Sequence, residues 1–538
     1  MVKKYQYSCG CSFNTDQVDG NTKIEFDSSI ENINLDCSKT WDLISDGNTK
    51  GCFQLESRLG RSMAKKLKPS NIEELSALIS IMRPGCLEAV RDGKTVSNHY
   101  IDKKNGLESV DYFHKALEPA LKNTYGEMVY QEQAMEITKA IAGFNLQEAD
   151  MLRKAIGKKK PEEMAKVKQK FLSGAKDLGI VSENEAEQIF GWIEKSQRYS
   201  FNKSHSVSYA INAYLSAYAK AHFPKIFFAS YLRFAKDKID PQAEIKELVQ
   251  NANEMDVTIN TPDIRNLNEF FILKDNKIYF GLTDIKGVGK SVFDKIKTMV
   301  ENIDMSKLNW LQLLVTILNN INSTAAKALI QSGSTNFMNM TRNRMLFEYN
   351  LISALTKKEI EHITKDLNSY KNLDEAFQKL LIMPRLNKNR KKIIEDLIQT
   401  LSNPPYSLED TTEWLADAED SLLGCSITCS KIDMYDISMT NITCREFKNT
   451  VNKENMILGG EIDFINVTKT KNGKNPGVDM AFVTMTDTTG SVDSIVFFPE
   501  KYKEYKNLLF QGNIIIVKGN KSKSGDGLIV EKAYIART

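Results

Sequence analysis

Long apolar runs are missing from this sequence. The most apolar stretch, Leu308 to Leu318 (LNWLQLLVTIL), falls far short of the ~20 residues that a membrane-spanning helix needs. The opening residues, MVKKYQYSCGCSFNT, hold no apolar core of the kind a secretory signal carries. The expectation is therefore a soluble, cytoplasmic protein with no membrane partner. Cysteine is scarce as well. The eight thiols, at positions 9, 11, 37, 52, 86, 425, 429 and 444, lack the spacing of a disulfide framework, so they are expected to be reduced. Nor is there an excess of one charge: Lys+Arg is 72 against Asp+Glu 69, a net charge of +3, so any basic surface must arise by local clustering. A hydrophobic fraction of 41% with 26% charged residues excludes disorder as the main state.

Motifs of catalysis are absent too. There is no P-loop and no His-Glu-x-x-His. Two-metal phosphoryl transfer needs carboxylates converging on Mg²⁺, often as Asp-x-Asp on a strand, and none is evident. Asp417, Glu419 and Asp420 lie on an amphipathic helical pattern and read as surface charge. No complete set of catalytic residues can be assembled.

What is present suggests about three or four domains in 538 residues. Residues 1–36 read as short strands and turns around a Cys-Gly-Cys triplet. Residues 37–260 are helical, with apolar residues at i, i+3/i+4 in 73–82, 130–144, 161–179 and 208–223, and Pro161 as a helix start. Residues 262–282 read as a loop and a strand pair, and 261–430 as a second, mainly helical region. Within it, 384–405 opens basic and closes on two prolines, a linker signal, and 431–454 reads as a linker. From 455 to 538 the period changes to two, giving about five strands that suit a small closed barrel of OB type. The predicted fold is multidomain and mainly α, with a C-terminal all-β barrel.

Four segments carry chemistry. In ADMLRKAIGKKK (149–160), Arg153, Lys154, Lys158 and Lys159 form a basic cluster that either grips phosphate oxygens or is a solvated helix end. In YSFNKSHSVSY (199–209), Asn202, Lys203, Ser204 and His205 precede an aromatic helix, which makes either an anion site or a simple cap. The turns around Gln54 (GCFQLES) and Arg83 (MRPG) are weaker signals. Lys286, Gly287, Gly289 and Lys290 (IKGVGK) open a helix as the hairpin of a helix-hairpin-helix, suited to one DNA phosphate without reading sequence, and a degenerate second unit spans 322–333. Cys9, Cys11 and Cys37, with Cys52 as a fourth, offer thiolates for zinc, but Cys-x-Cys departs from the usual knuckle; the alternative is a strand hairpin with free thiols. Gln378–Ile382 (QKLLI) lies on a helical period that suits core packing. In the barrel, Phe464, Phe482, Phe497 and Phe498 are divided between core and base stacking, and Lys469, Lys471, Lys474, Lys518 and Lys521 are candidates for a basic groove.

Taken in order, TWDLISDGNTKGCFQLES (40–57), ISIMRPG (79–85), TYGEMVYQEQAM (124–135), ADMLRKAIGKKKPEEMAK (149–166) and FNKSHSVSYA (201–210) resemble the fingers of the bacterial DNA polymerase III alpha subunit, the C-family of replicative polymerases. YFGLTDIKGVGK resembles that family's helix-hairpin-helix region, WLADAEDSLLGC its approach to the OB domain, and 455–538 the OB domain itself. The resemblance implies fingers over 37–260, a duplex- and clamp-binding region over 261–430, with Gln378–Ile382 the nearest short motif for clamp contact, and an OB domain over 455–538. It implies that Gln54, Arg83, Arg153, Lys154, Lys158, Lys159, Asn202, Lys203, Ser204 and His205 contact the incoming dNTP and template, and that the hairpin and barrel hold primer-template DNA. The family's phosphoesterase-like domain and its palm, whose aspartates bind the Mg²⁺ ions, find no match ahead of the fingers motif, and Glu25-Phe-Asp27 is too unlike the third palm strand. The expectation is the C-terminal part of a split DNA-directed DNA polymerase, inactive without a palm-bearing partner chain, in a bacterial or phage-infected cell. The alternative is a non-catalytic paralogue that binds DNA or a sliding clamp.

Overall fold

A computed structural model describes residues 3–6, 9, 11–18, 21–25, 29–157, 161–196, 199–301, 303–305, 307–450, 454–470, 476–522 and 527–537. The chain forms two compact units, Met1–Phe223 and Pro224–Thr538. Among the described residues no helix is long and apolar enough to cross a membrane.

The first unit opens with a three-stranded antiparallel sheet, Lys3–Gln6, Ser12–Val18 and Asn21–Glu25. Helices follow. Ile72–Ile81 is buried along nearly its whole length, as its continuous run of apolar and small residues requires. It packs on the 20-residue helix Lys203–His222, whose Ala210, Ala213 and Ala217 permit close approach. Their contact is polar at one point: Ser76 Oγ lies 3.0 Å from both Tyr130 Oη and Ser206 Oγ, and Ser206 Oγ lies 2.8 Å from Ser80 Oγ. Four buried hydroxyls satisfy one another there, so none carries the cost of an unmet hydrogen bond. A second core gathers the helices Gln131–Ala142, Leu146–Gly157, Pro161–Leu178 and Glu183–Ser196 around Ile137, Phe171 and Phe190. Gly174 is required in it, because a Cβ there would lie 2.2 Å from the Ala142 carbonyl oxygen.

In the second unit the helices Pro224–Arg233 and Pro241–Glu254 place Phe228, Leu232 and Leu248 in one core with the hairpin region's Ile285, Phe293 and Leu329. The two compact units divide at 223/224. The stretch 384–405 differs from expectation. It holds the helix Lys388–Ser402, capped by Asn387 and anchored by buried Ile394 and Leu401, and is no linker. Likewise 431–454 contains the helix Cys444–Asn449, whose Cys444 and Phe447 belong to the barrel core.

The barrel strands are Met456–Lys469, Asp479–Thr486, Ser491–Phe497, Ile514–Lys521 and Leu528–Ile535. Numbered one to five, they close in the order 2-3-5-4-1. Strands three and five are parallel, and the helix Pro499–Tyr505 links three to four. This is the OB topology, and the mainly α fold with a C-terminal barrel matches the sequence expectation. The barrel seats on the helix Pro241–Glu254: Glu254 accepts from Lys448 Nζ (2.8 Å) and Ser491 N (3.1 Å), and Lys246 Nζ meets Asp463 at 3.0 Å.

Candidate nucleotide and nucleic-acid interface

The chain enters the long helix Lys203–His222 through a short pairing with Tyr130: Gln131 N donates to Phe201 O and Phe201 N to Val129 O, both at 2.9 Å. Asn202 is the N-cap, its Oδ1 accepting from His205 N at 2.9 Å and from Ser204 Oγ at 2.7 Å. From this cap an aromatic and cationic stripe runs along an exposed to half-buried face. The Arg83 guanidinium lies 3.6 Å from the Phe201 ring centre, Phe201 meets His205 at 5.4 Å, His205 meets Tyr209 at 4.2 Å, and Tyr209 meets Phe53 at 5.1 Å. Gln54 follows Phe53 in a left-handed conformation, φ 62°. That turn is pinned on both sides, by Phe53 N donating to Ser216 Oγ (3.0 Å) and by fully buried Leu55, so Gln54 is held outward. The fold therefore joins Gln54, Arg83, Asn202, Ser204 and His205, which sequence reading assigned from separate motifs. Arg83 has no carboxylate partner among the described residues.

Carboxylates already answer part of this helix start. Glu132 accepts from Asn202 Nδ2 (2.8 Å) and Lys203 N (3.0 Å), and Glu73 meets Lys203 Nζ at 3.1 Å. An anionic ligand would meet Arg83 and His205 directly but would compete with Glu73 for Lys203. Glu132 was not singled out from sequence; its position at the start of the helix Gln131–Ala142, facing another helix start, emerges only in the fold. The basic helix shows the same pattern. Asp150 pairs with Arg153 and Lys154, each at 2.8 Å, and these contacts, Lys154 first, hold the Asp150 carboxyl below its ordinary range. Both pairs are solvent-exposed and so weakly held. Lys158 and Lys159 lie outside the described residues.

In the second unit Lys286, Gly287, Gly289 and Lys290 are exposed, while Ile285 and Val288 anchor the turn in the core. The backbone N–H groups of Gly287 and Gly289 have no acceptor among the described residues, whereas Lys286 N donates to Leu422 O at 2.9 Å. Lys290 Nζ meets Glu269 (2.8 Å) and Asp294 (3.2 Å). Where the sequence suggests a degenerate second unit, the helix Ser323–Gln331, capped by Asn322, sits beside the first hairpin, with Thr324 Cγ2 3.7 Å from where a Gly287 Cβ would lie. Gly287 has φ +93°, but a Cβ on Gly289 meets open space. Gly289→Ala should therefore leave stability unchanged and weaken duplex binding, because the added methyl stands where a phosphate would approach. Gly287→Ala should cost stability as well. Salt-dependent DNA titration beside thermal melting separates the two, and unaltered DNA affinity in Gly289→Ala would count against phosphate binding at the hairpin.

On the barrel, Phe497 is core, while Phe464 and Phe498 are exposed. Lys469 is exposed and Lys518 half-buried. Lys521 turns inward, donating to the carbonyls of Phe447 (2.8 Å) and Thr450 (3.0 Å), and so does not belong to a groove. Lys471 and Lys474 lie outside the described residues. In QKLLI, Leu380 is core while Gln378 and Ile382 face solvent, so the segment is in the main a packing element.

Of the three acidic residues read as surface charge, Glu419 needs correction, while Asp417 and Asp420 stay accessible to solvent. Glu419 is fully buried and pairs with buried Arg342 at 2.8 Å, and its other oxygen accepts from Ile427 N and Thr428 N. Asp417 and Asp420 pair with Lys431. Two of these carboxylates meet on one ammonium and the third on a guanidinium, so they are neutralised by side-chain cations and do not form a Mg²⁺ pair. Among the described residues one group of three or more metal-ligating side chains comes together, and it contains no carboxylate: Cys9, Cys11, Cys37 and His222. Cys52 is not the fourth member. It is fully buried elsewhere, its thiol pushed up to about 11 by that burial and pulled down by nearby Lys220.

Comparison with known proteins agrees with this architecture. Residues 14–179 match the bacterial DNA polymerase III alpha subunit finger domain, and residues 256–345 match a helix-hairpin-helix motif. The DNA polymerase III subunit alpha of Aquifex aeolicus (strain VF5) is 34% identical over 493 residues, 90% of this chain and 37% of that subunit. The Staphylococcus aureus (strain MSSA476) DNA polymerase III subunit alpha is 30% identical over 494 residues, 91% of this chain and 42% of that subunit. The chain thus spans about two fifths of the length of these relatives. With finger, hairpin and barrel segments following one another in that order, it belongs with the bacterial DNA polymerase III alpha subunits and corresponds to the C-terminal portion of that family.

Proposed function

We propose that this chain is the fingers, duplex-binding and OB part of a DNA-directed DNA polymerase that works with a palm on a separate polypeptide. The observation that carries the reading is Arg83: an exposed guanidinium stacked on Phe201, without a carboxylate partner among the described residues, beside the Asn202 cap. A cation held by an aromatic face and left electrically unanswered suits a triphosphate, because the guanidinium fork meets phosphate oxygens in two parallel bonds. His205 and Tyr209 extend the face on which a base or sugar can rest, and Gln54 closes its end. Arg153 and Lys154 supply further positive charge once phosphate displaces Asp150. Mg²⁺ would be bound by the partner's palm, where it would neutralise the developing phosphate charge. The open N–H groups at Gly287 and Gly289 take the duplex backbone, and the barrel's exposed Phe464 and Phe498 face the single-stranded template.

A second reading has its own support. Glu132, Glu73 and Asp150 already neutralise much of the charge that a triphosphate site would use, which favours a non-catalytic paralogue that binds DNA or a sliding clamp. Primer extension separates the readings. The chain alone should bind primer-template without extending it, and addition of a palm-bearing polymerase chain from the same genome should give Mg²⁺-dependent synthesis. In that mixture Arg83→Ala should raise KM for dNTP roughly 10- to 100-fold, the loss of one charge-assisted contact at about 1.5–3 kcal/mol, while DNA affinity changes little. Extension by the chain alone refutes the split arrangement, and equal effects on DNA and dNTP refute the nucleotide role of Arg83.

A further inference from the structure

We infer that Cys9, Cys11, Cys37 and His222 form a structural zinc site that fastens the N-terminal sheet to the far end of the long fingers helix. The four ligands come from three separate segments. Cys9 lies in the connection between the strands Lys3–Gln6 and Ser12–Val18, and Cys11 immediately precedes the second of them. Cys37 is the N-cap of the helix Ser38–Ser45, and His222 is the last residue of Lys203–His222. Their ligand atoms all lie within 4.8 Å of one another, and Cys37 Sγ is 3.3 Å from His222 Nε2. Zn–S bonds of ~2.3 Å and Zn–N bonds of ~2.0 Å place tetrahedral ligands roughly 3.5–3.8 Å apart, so a small contraction of this cluster completes the coordination.

The surroundings are those of a metal site. Cys11, Cys37 and His222 are buried at 3%, 0% and 5% exposure, and Cys9 is partly buried, so the cluster is closed to solvent on most sides. Asn34 Nδ2 donates to Cys11 Sγ at 3.7 Å, the type of bond that orients a thiolate and takes up part of its charge. The His222 ring is packed against Tyr218, with ring centres 4.4 Å apart. All eight cysteines are free thiols, and a disulfide within the cluster would use two sulfurs and leave a third, with the imidazole, unexplained. Three thiolates with one imidazole are a borderline-soft tetrahedral set, the chemistry of structural zinc and not of Mg²⁺ or Ca²⁺.

The position gives the metal a purpose. The helix that ends in His222 starts 20 residues earlier at the Asn202 cap, about 30 Å away at 1.5 Å per residue. Zinc would fix one end of that rod and tie residues 9 and 11 to residue 222, contacts the short N-terminal strands do not secure through sequence neighbours. The inference does not depend on the polymerase reading, because metal binding is measured without activity.

The test is metal content of the full chain, purified under reducing conditions after expression in zinc-supplemented medium. One zinc per chain is expected by mass spectrometry, and addition of Co²⁺ to the demetallated chain should give tetrahedral d–d bands with thiolate-to-cobalt charge transfer. Cys37→Ser and His222→Ala should lose the zinc, whereas Cys52→Ser, a buried thiol outside the cluster, should keep it. Should the ligand variants fail to fold, the cobalt spectrum of the native chain still decides. A native chain that holds no zinc and shows no tetrahedral cobalt bands overturns the site, as does loss of zinc in Cys52→Ser with retention in His222→Ala.

Discussion

Glu419→Ala should lower the melting temperature of the Pro224–Thr538 unit by roughly 10 °C. The reason is charge burial. Glu419 and Arg342 are 0% and 2% exposed, and removing one partner leaves the other as an uncompensated buried charge, a cost of about 3–5 kcal/mol. Arg342 is otherwise held by neutral groups, its guanidinium donating to the Gln331 carbonyl (3.0 Å), Asn336 Oδ1 (3.1 Å) and Thr428 Oγ1 (2.9 Å). Glu419 in turn gathers the N–H groups of Ile427 (2.5 Å) and Thr428 (2.8 Å), so its loss frees the segment that leads into the barrel. Asp417→Ala and Asp420→Ala are the controls. Their partner Lys431 is partly exposed, and each should cost less than about 1 kcal/mol. Calorimetry of the full chain reads both; a Glu419→Ala transition within 1–2 °C of the parent would show that the pair is not what holds these segments.

Asp284→Asn should have the opposite sign and stabilise the same unit at neutral pH. Asp284 sits just before the hairpin, in the turn Leu282–Asp284, and its Oδ2 is buried without a hydrogen-bond partner among the described residues. Burial pushes its carboxyl up from 3.8 to about 6, against the pull of Lys236 and of the Gly281 and Phe271 N–H groups. The folded state therefore takes up a proton before the unfolded chain does. The group's contribution is fully present below about pH 4 and is lost as pH rises through about 6. By neutral pH the loss is on the order of 2–3 kcal/mol, since each tenfold change in proton affinity between the folded and unfolded chain is worth about 1.4 kcal/mol. Asparagine has nothing to ionise, so the gain should be largest above pH 7 and vanish near pH 4. Denaturant melts of both proteins across that range check this; a gain independent of pH would assign it to packing and not to the carboxylate.

Much of the architecture is written locally in the chain. Apolar spacing of three and four placed the helices at 72–81, 131–142, 161–178 and 203–222 within a few residues, because a helix face repeats within four positions. The change to period two marked all five barrel strands for the same reason. The finger motifs and the two hairpin glycines were legible because their residue types are tied to backbone conformation and charge. What tertiary structure alone decided involves partners far apart in sequence. Glu419 looked like surface charge until Arg342, 77 positions earlier, buried it. Cys52 was the natural fourth thiol by proximity in sequence, but His222, 185 residues after Cys37, takes that place. Glu132 and Asp150 were silent in sequence because a carboxylate's role depends on which cations the fold brings within about 3 Å. Local pattern fixes which face of each element is apolar. Which charge or ligand meets that element is settled when the chain closes on itself.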